Sequence, residues 1–281
     1  MYPVLFRVGS VLIPAYGVMA ALGVVLALLL AQRTARIARL NAAHVWNLCV
    51  IALFAALVGS RLLLIIANWT NVLRHPSWIL ALGAIHHPLL GAVGILAGAA
   101  CGAAYARAVK LPILNAADGL AAPLALGLAF DQFGSLLAGS GFGIDAGAHA
   151  PWAVTYTNPL AALWSGAPLG VPVQPVQAYA ALAFLALSVA LLLWLPRRRR
   201  QGDLAGLWFM GSGAILYLTE LGRNRVGRGQ VLGGALDGPQ IAAIALVLAG
   251  ALLLRERRAA APREANPGAA NLAKANELNH A

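Results

Sequence analysis

A chain of 281 residues that is 60% hydrophobic and 10% charged, with a mean hydropathy of +0.77, carries more apolar surface than one soluble core can hide, so its solvent must be largely lipid. Glycine (30 residues), alanine and leucine dominate, which favours helices packed through small residues over a barrel of alternating strands. The formal charge of +11 does not mark a nucleic-acid binder, because the basic residues sit mostly in short loops beside apolar runs, where they set orientation instead.

The chain therefore reads as an all-α integral membrane protein with about seven transmembrane helices. The candidate spans lie near residues 12–32, 46–67, 88–106, 119–139, 176–195, 204–221 and 239–254. The first begins beyond Val11 and reaches membrane-spanning length with Arg33, Arg36 and Arg39 behind it, so it is expected to stay as a span and not to be removed as a signal peptide. Cys49 and Cys101 fall inside apolar runs without CxxC spacing and read as packing residues, not as a disulfide or metal ligands. In the third span Gly91, Gly94 and Gly98 are expected at a helix contact. Asp131, Gln132 and the glycines Gly134, Gly139, Gly141 and Gly143 weaken the second half of the fourth span, where a break or a re-entrant segment is expected. Residues 1–258 make one transmembrane domain, and the tail 259–281 loses its apolar periodicity and reads as a disordered cytoplasmic end.

With seven spans, Arg33, Arg36, Arg39, Arg107, Lys110, Arg197 to Arg200, Arg255, Arg257, Arg258, Arg263 and Lys274 fall on one side. The positive-inside rule then puts the N-terminus outside and the C-terminus in the cytoplasm. The long connection from Gly139 to Gln174 has neither Lys nor Arg, as an external loop should. Arg223, Arg225 and Arg228 fall on that external side, against the rule.

Several polar groups have a plain reading beside a functional one. Glu220 and Arg223 stand three apart and share a helix face, so they form either an interfacial salt bridge or part of a site. With Arg225 and Arg228, Arg223 offers guanidiniums suited to a phosphate diester, and a phospholipid headgroup is the obvious anion at a membrane surface. Arg61, well inside the second apolar run, either snorkels to the interface or pairs with Glu220, Asp131 or a lipid phosphate. Tyr16 and Tyr179 are explicable as aromatic-belt residues, whereas Gln174 and Gln177, amides at a helix start, seek hydrogen-bond partners. His86 and His87 are solvated interfacial histidines or candidates for a general base. Walker loops, HExxH and GxSxG are absent, and neither a metal nor a cofactor is expected.

Laid out this way, the chain resembles the prolipoprotein diacylglyceryl transferases, up to Arg258. The matching blocks are Tyr16-Gly17, Gly59-Ser60-Arg61, the run Gly94 to Gly98, and Asp118 leading to Gly134-Ser135-Leu136 with Gly139 and Gly143. They continue with Trp152 to Pro159, Gln174 to Tyr179, Glu220-x-x-Arg223 and Gly238-Pro239-Gln240. The chain departs from the pattern at Gln132 and Leu216, where the family carries arginines, at Ser135 for an asparagine, and at Val93 and Gln174 for histidines.

The resemblance implies transfer of diacylglyceryl from phosphatidylglycerol to the lipobox cysteine of a lipoprotein precursor's signal peptide, in the bacterial cytoplasmic (inner) membrane. Its implied catalytic residues are Tyr16, Glu220 and Arg223, with Glu220 or Tyr16 as the base; His87, which lies within two turns of the family's histidine position, is a third candidate base. Arg61, Gln132, Ser135, Gly143, Gln177 and Tyr179 fall in the matching blocks as phospholipid contacts, and Arg225 and Arg228 join them as external guanidiniums that would take over from the missing family arginines. A non-catalytic phospholipid-binding membrane protein on the same scaffold is the alternative, favoured by the missing arginines. A secondary transporter would call for internal repeats and paired broken helices, which are not apparent.

Overall fold

A computed structural model of the protein describes residues 2–9, 11–67, 69–70, 88–147, 150–224, 230–231 and 236–259. Lipid offers no hydrogen bonds to a bare backbone, so apolar runs of this length satisfy their amides internally as helices. Seven of them are long and apolar enough to cross a membrane. They are α1 (Ala15–Ile37), α2 (Ala42–Ala67), α3 (Pro88–Ala108), α4 (Ile113–Ala138), α6 (Val176–Trp194), α7 (Asp203–Leu221) and α8 (Gly238–Ala259); the seven-residue α5 (Pro159–Ser165) lies in the long connection between α4 and α6. The protein is thus mostly helical and multi-pass.

The first span is shorter at its start than the apolar run that encodes it. Val4–Val8 (β1) and Val11–Pro14 (β2) form an antiparallel hairpin. Pro14 then has extended backbone and turns the chain into α1, as suits a residue that cannot donate to a following rung. The hairpin displaces the expected beginning at residue 12.

α4 is the hub. It packs along α1, α6 and α7, while α2 pairs with α3 and α7 with α8. Half of α4's apolar window is buried within the protein, against 6% of α2's, and large side chains such as Ile95, Leu182 and Leu218 stay exposed on the lipid-facing sides. Gly94 and Gly98 let α3 close on α2: a Cβ there would stand 2.9 Å from the Ala56 carbonyl oxygen and 2.7 Å from that of Ala52. Gly91 faces open space instead, so the expected contact stripe begins one turn later.

The expected interruption of α4 does not occur. The helix runs unbroken through Asp131, Gln132 and Gly134, with Pro123 also inside it, and ends at Gly139, whose left-handed φ of 79° suits a residue without Cβ. Its polar side chains find partners on other helices, so the ladder need not open. At its opposite end the side chain of buried Asp118 caps α7 from a distance. Asp118 accepts from the amides of Gly202 (2.8 Å), Leu204 (3.0 Å) and Ala205 (3.0 Å), and from Arg198 Nη1 (3.1 Å). Arg198 also donates to Asn115, which itself donates to the Ala38 carbonyl just past the end of α1. This arginine-rich end is thereby tied across α1, α4 and α7.

Candidate functional site

At the other end of the bundle, the connections cover the helices with short extended segments. Val154–Thr155 (β3) pairs antiparallel with Pro172–Val173 (β4). Residues 142–146 run between β4 and the exit of α7: Gln174 donates to the Ile144 carbonyl (2.9 Å) and Ala146 to that of Pro172 (2.9 Å). On the other side Ile144 donates to Gly222 (3.0 Å) and Asn224 to Phe142 (3.1 Å), with Gly143 bridged to Arg223. A methyl on Gly143 would run into the Gln174 carbonyl and stand 2.9 Å from its Cβ. Only glycine fits between these strands, and Arg223 is held by the same ladder.

The helices bring four of the expected site residues together. Gly134 lets α4 press against the first turn of α1, since a Cβ there would lie 3.0 Å from Met19 Cβ and 3.2 Å from Tyr16 Cδ2. One turn earlier, Asp131 is level with the Tyr16 hydroxyl, which donates to its Oδ1 at 2.7 Å. Gln132 Nε2 donates to Asp131 Oδ2 (3.1 Å), and Gln132 Oε1 accepts from Arg223 Nη2 (3.0 Å). Arg223 Nη1 closes the chain on Glu220 Oε1 at 3.0 Å. The side chains of this last pair are 12% and 3% exposed, which makes it a buried pair and not a surface salt bridge.

The remaining candidates take other places. Arg61 is half-buried on α2 and engaged in an interaction there. Ser135 contributes its carbonyl, which accepts the amide of Ser140 at the end of α4 (3.0 Å). Gln177 is buried, donates to the Ser140 carbonyl (2.9 Å), and hydrogen-bonds the phenol of Tyr156, which in turn donates to Leu136 (3.1 Å). Tyr156 lies outside the spans; burial pushes its phenol up to about 12, the bond from Gln177 pulling the other way. Tyr179 is exposed on α6. His86, His87, Arg225, Arg228 and the tail from residue 260 lie outside the described residues. Among the described residues, no group of three or more His, Cys, Asp or Glu is placed to hold a metal ion.

Asp131 is the site residue missing from the sequence-based candidates, where it figures as a disturbance of the fourth span and a possible partner for Arg61. Its signal was available: an ionisable residue inside an apolar run is a functional-site hypothesis by default.

A profile described as prolipoprotein diacylglyceryl transferase matches residues 3–255. The chain belongs to that family. Among relatives of this family member, the phosphatidylglycerol–prolipoprotein diacylglyceryl transferase of Clostridium tetani is 27% identical over 80% of this chain and 86% of its own. The second such enzyme of Clostridium perfringens is 28% identical over 89% of this chain and 93% of its own. A Dehalococcoides mccartyi relative of the same name is 30% identical over 87% and 89%. As a member of the diacylglyceryl transferase family, the chain carries its seven spans and its polar chain of side chains within the matched region.

Proposed function

We propose that the protein transfers the diacylglyceryl group of phosphatidylglycerol to the lipobox cysteine thiol of lipoprotein precursors, releasing glycerol phosphate. It does so in the bacterial cytoplasmic (inner) membrane, with the site end facing outside and the arginine-rich end in the cytoplasm. Family membership over residues 3–255 supports the reaction. Within the site, the observation that carries it is Arg223, a guanidinium fixed between Gln132 and Glu220 at one end of the bundle.

The chemistry asks for two things. The thiol must lose its proton to attack the glyceryl carbon that bears the phosphate, and the phosphate leaving with the C–O electron pair gains negative charge that must be stabilised. A planar guanidinium suits the second task. Arg223 takes it, Arg61, Arg225 and Arg228 support it, and Glu220 orients the fork through its ion pair. Tyr16 faces the thiol, with His87 as a further candidate base. Gln132, Ser135 and Tyr179 border the lipid, while Gly143 and Gln177 shape the site by holding the covering segments in register. Residues 1–258 act as one transmembrane domain.

The test is a reconstituted assay with labelled phosphatidylglycerol and a lipobox peptide. Wild-type protein is expected to move label to the peptide, and Arg223→Ala to lose about 100- to 1,000-fold in turnover. Ordinary turnover by that variant removes Arg223 from its role. Lipid that co-purifies yet never loses its headgroup would establish the non-catalytic alternative.

A further inference from the structure

Two carboxylates stand at the site end, and their surroundings differ. Glu220 is ion-paired with Arg223. Asp131 is held by neutral donors, the Tyr16 hydroxyl on Oδ1 and the Gln132 amide on Oδ2. Gln132 stands between Asp131 and Arg223, giving its N–H to one and its oxygen to the other, and so keeps the guanidinium from pairing directly with Asp131. Glu220 is thus committed to orienting Arg223, whereas Asp131 is joined to the Tyr16 hydroxyl, a group that can pass a proton. The two carboxylates therefore differ in what they touch: one a guanidinium, the other a hydroxyl that faces the site.

The hydroxyl geometry supplies the second constraint. A phenol has a single O–H, and that of Tyr16 points at Asp131. Toward a substrate, then, the Tyr16 oxygen acts as an acceptor. A donor role toward the departing phosphate would require the 2.7 Å bond to break.

We propose that Asp131 is the proton acceptor of the transfer reaction proposed above, on which this inference rests, drawing the thiol proton through the Tyr16 hydroxyl. The thiol S–H gives its proton to Tyr16 Oη as the Tyr16 hydroxyl proton passes to Asp131 Oδ1. The S–C bond to the glyceryl carbon forms while the C–O bond to phosphorus-bound oxygen breaks, its electron pair leaving with the phosphate beside Arg223. The proton on Asp131 then returns through Tyr16 to the departing glycerol phosphate. Tyr16 is the catalytic group that meets the substrate, and Asp131 is a positioning and proton-holding residue behind it. Among the described residues, the titratable and charged groups near the site end of the surrounding helices are Tyr16 of α1, Arg61 of α2 and Tyr179 of α6. Tyr217, Glu220 and Arg223 stand at the end of α7 and Asp237 before α8.

The experiment uses the full chain in phosphatidylglycerol proteoliposomes with a lipobox peptide, followed from about pH 6 to about pH 9, near the thiol's own value of about 8.5. Asp131→Asn is expected to lower kcat by about 100-fold at neutral pH with the peptide KM within about twofold. Its rate should then climb about tenfold per pH unit as the thiol ionises unaided, a rise that wild-type protein lacks. Tyr16→Phe, which keeps the ring and loses the relay oxygen, should show the same profile and decides alone if Asp131→Asn does not fold. A wild-type pH profile in either variant, a loss equal at every pH, or a loss confined to KM overturns the proposal. If unsubstituted protein transfers nothing, the reaction itself is wrong and the inference falls with it; that failure is visible before any substitution is made.

Discussion

α4 carries a carboxylate near each end, Asp118 and Asp131, thirteen positions apart in the sequence and so about 20 Å apart along the helix. Each belongs to a network with an arginine, yet the two networks do different work. Asp118 gives its oxygens to three backbone amides at the start of α7 and to Arg198, while Arg198 and Asn115 extend the tie to the end of α1. Four of those six bonds end on main-chain groups, so the side chains tie one helix end to another. In the network of Tyr16, Asp131, Gln132, Arg223 and Glu220, the four contacts described above run between side chains. Polar groups that satisfy helix ends are difficult to remove without loosening the fold, whereas side chains that satisfy one another can exchange a partner for substrate. The same residue types therefore make a lock at one end and a site at the other.

Breaking the lock should have the largest effect. Asp118→Ala strips the first turn of α7 of its acceptor and leaves Arg198 without its carboxylate. Removing one partner of a buried pair costs about 3–5 kcal/mol. We expect a large fall in the denaturation midpoint of detergent-solubilised protein, with the KM for phosphatidylglycerol unchanged in the fraction that remains folded. A shifted KM at unchanged stability would reverse the roles assigned to the two ends.

Disturbing the site should reverse that balance. Glu220→Gln keeps an oxygen facing Arg223 but removes the charge that orients it, and small displacements of a positioning group cost about 100-fold in rate. Turnover should fall by about that factor, about 3 kcal/mol in activation free energy, with a midpoint shift well under that of Asp118→Ala. Equal destabilisation by the two substitutions would mean that the site is as structural as the lock.

Between these lies Gly143→Ala, which acts where the covering segments meet the site. The added methyl collides with Gln174 on one side, and the same residue is bridged to Arg223 on the other. Overpacking of this kind costs about 1–3 kcal/mol. The loss should appear in both the denaturation midpoint and turnover, because relieving the clash moves the strand that carries Arg223. An effect on stability alone would separate the covering segments from the chemistry.

The two ends also differ in how far the chain betrays them. The spans were legible because lipid imposes length and apolarity directly on the sequence, and the Glu220–Arg223 pair was legible because residues three apart stay near one another. α7 nonetheless ends at Leu221, and Arg223 stands just past it instead of on a shared helix face. Tyr16 and Asp131 are 115 residues apart, and only the close approach that Gly134 permits brings them together. Asp118 matched a family block, but its work as a cap for α7 depends on a turn more than 80 residues away. The expected break in α4 followed from counting polar residues and glycines along one helix, which does not show the partners that α1 and Arg223 supply. Gly143 and Gln177 match family blocks that suggest lipid contacts, and the structure gives each a packing reason that stands without any lipid.

The smallest expected effect tests whether the covering layer is a passive roof over the site. Tyr156 is buried, donates to Leu136 at the end of α4, and has its phenol raised from an ordinary value of 10.0 to about 12. Because the folded protein holds the phenol proton more tightly than the unfolded chain, this contribution is fully present below about pH 10 and is lost as the pH rises through about 12. Tyr156→Phe keeps the ring and removes the hydroxyl. At neutral pH it should cost about 1 kcal/mol, the net value of one hydrogen bond, and leave turnover unchanged. As the pH rises past about 10 the wild-type advantage should shrink, since the native protein is then obliged to hold a proton that the unfolded chain releases. Denaturation curves of the two proteins at pH 7 and at about pH 11 check the sign: converging midpoints support the buried phenol as the alkaline-sensitive group, and parallel ones assign that sensitivity elsewhere. A fall in turnover at pH 7 would show instead that the roof helps to position Arg223, through the strands that join Tyr156 to Gly143.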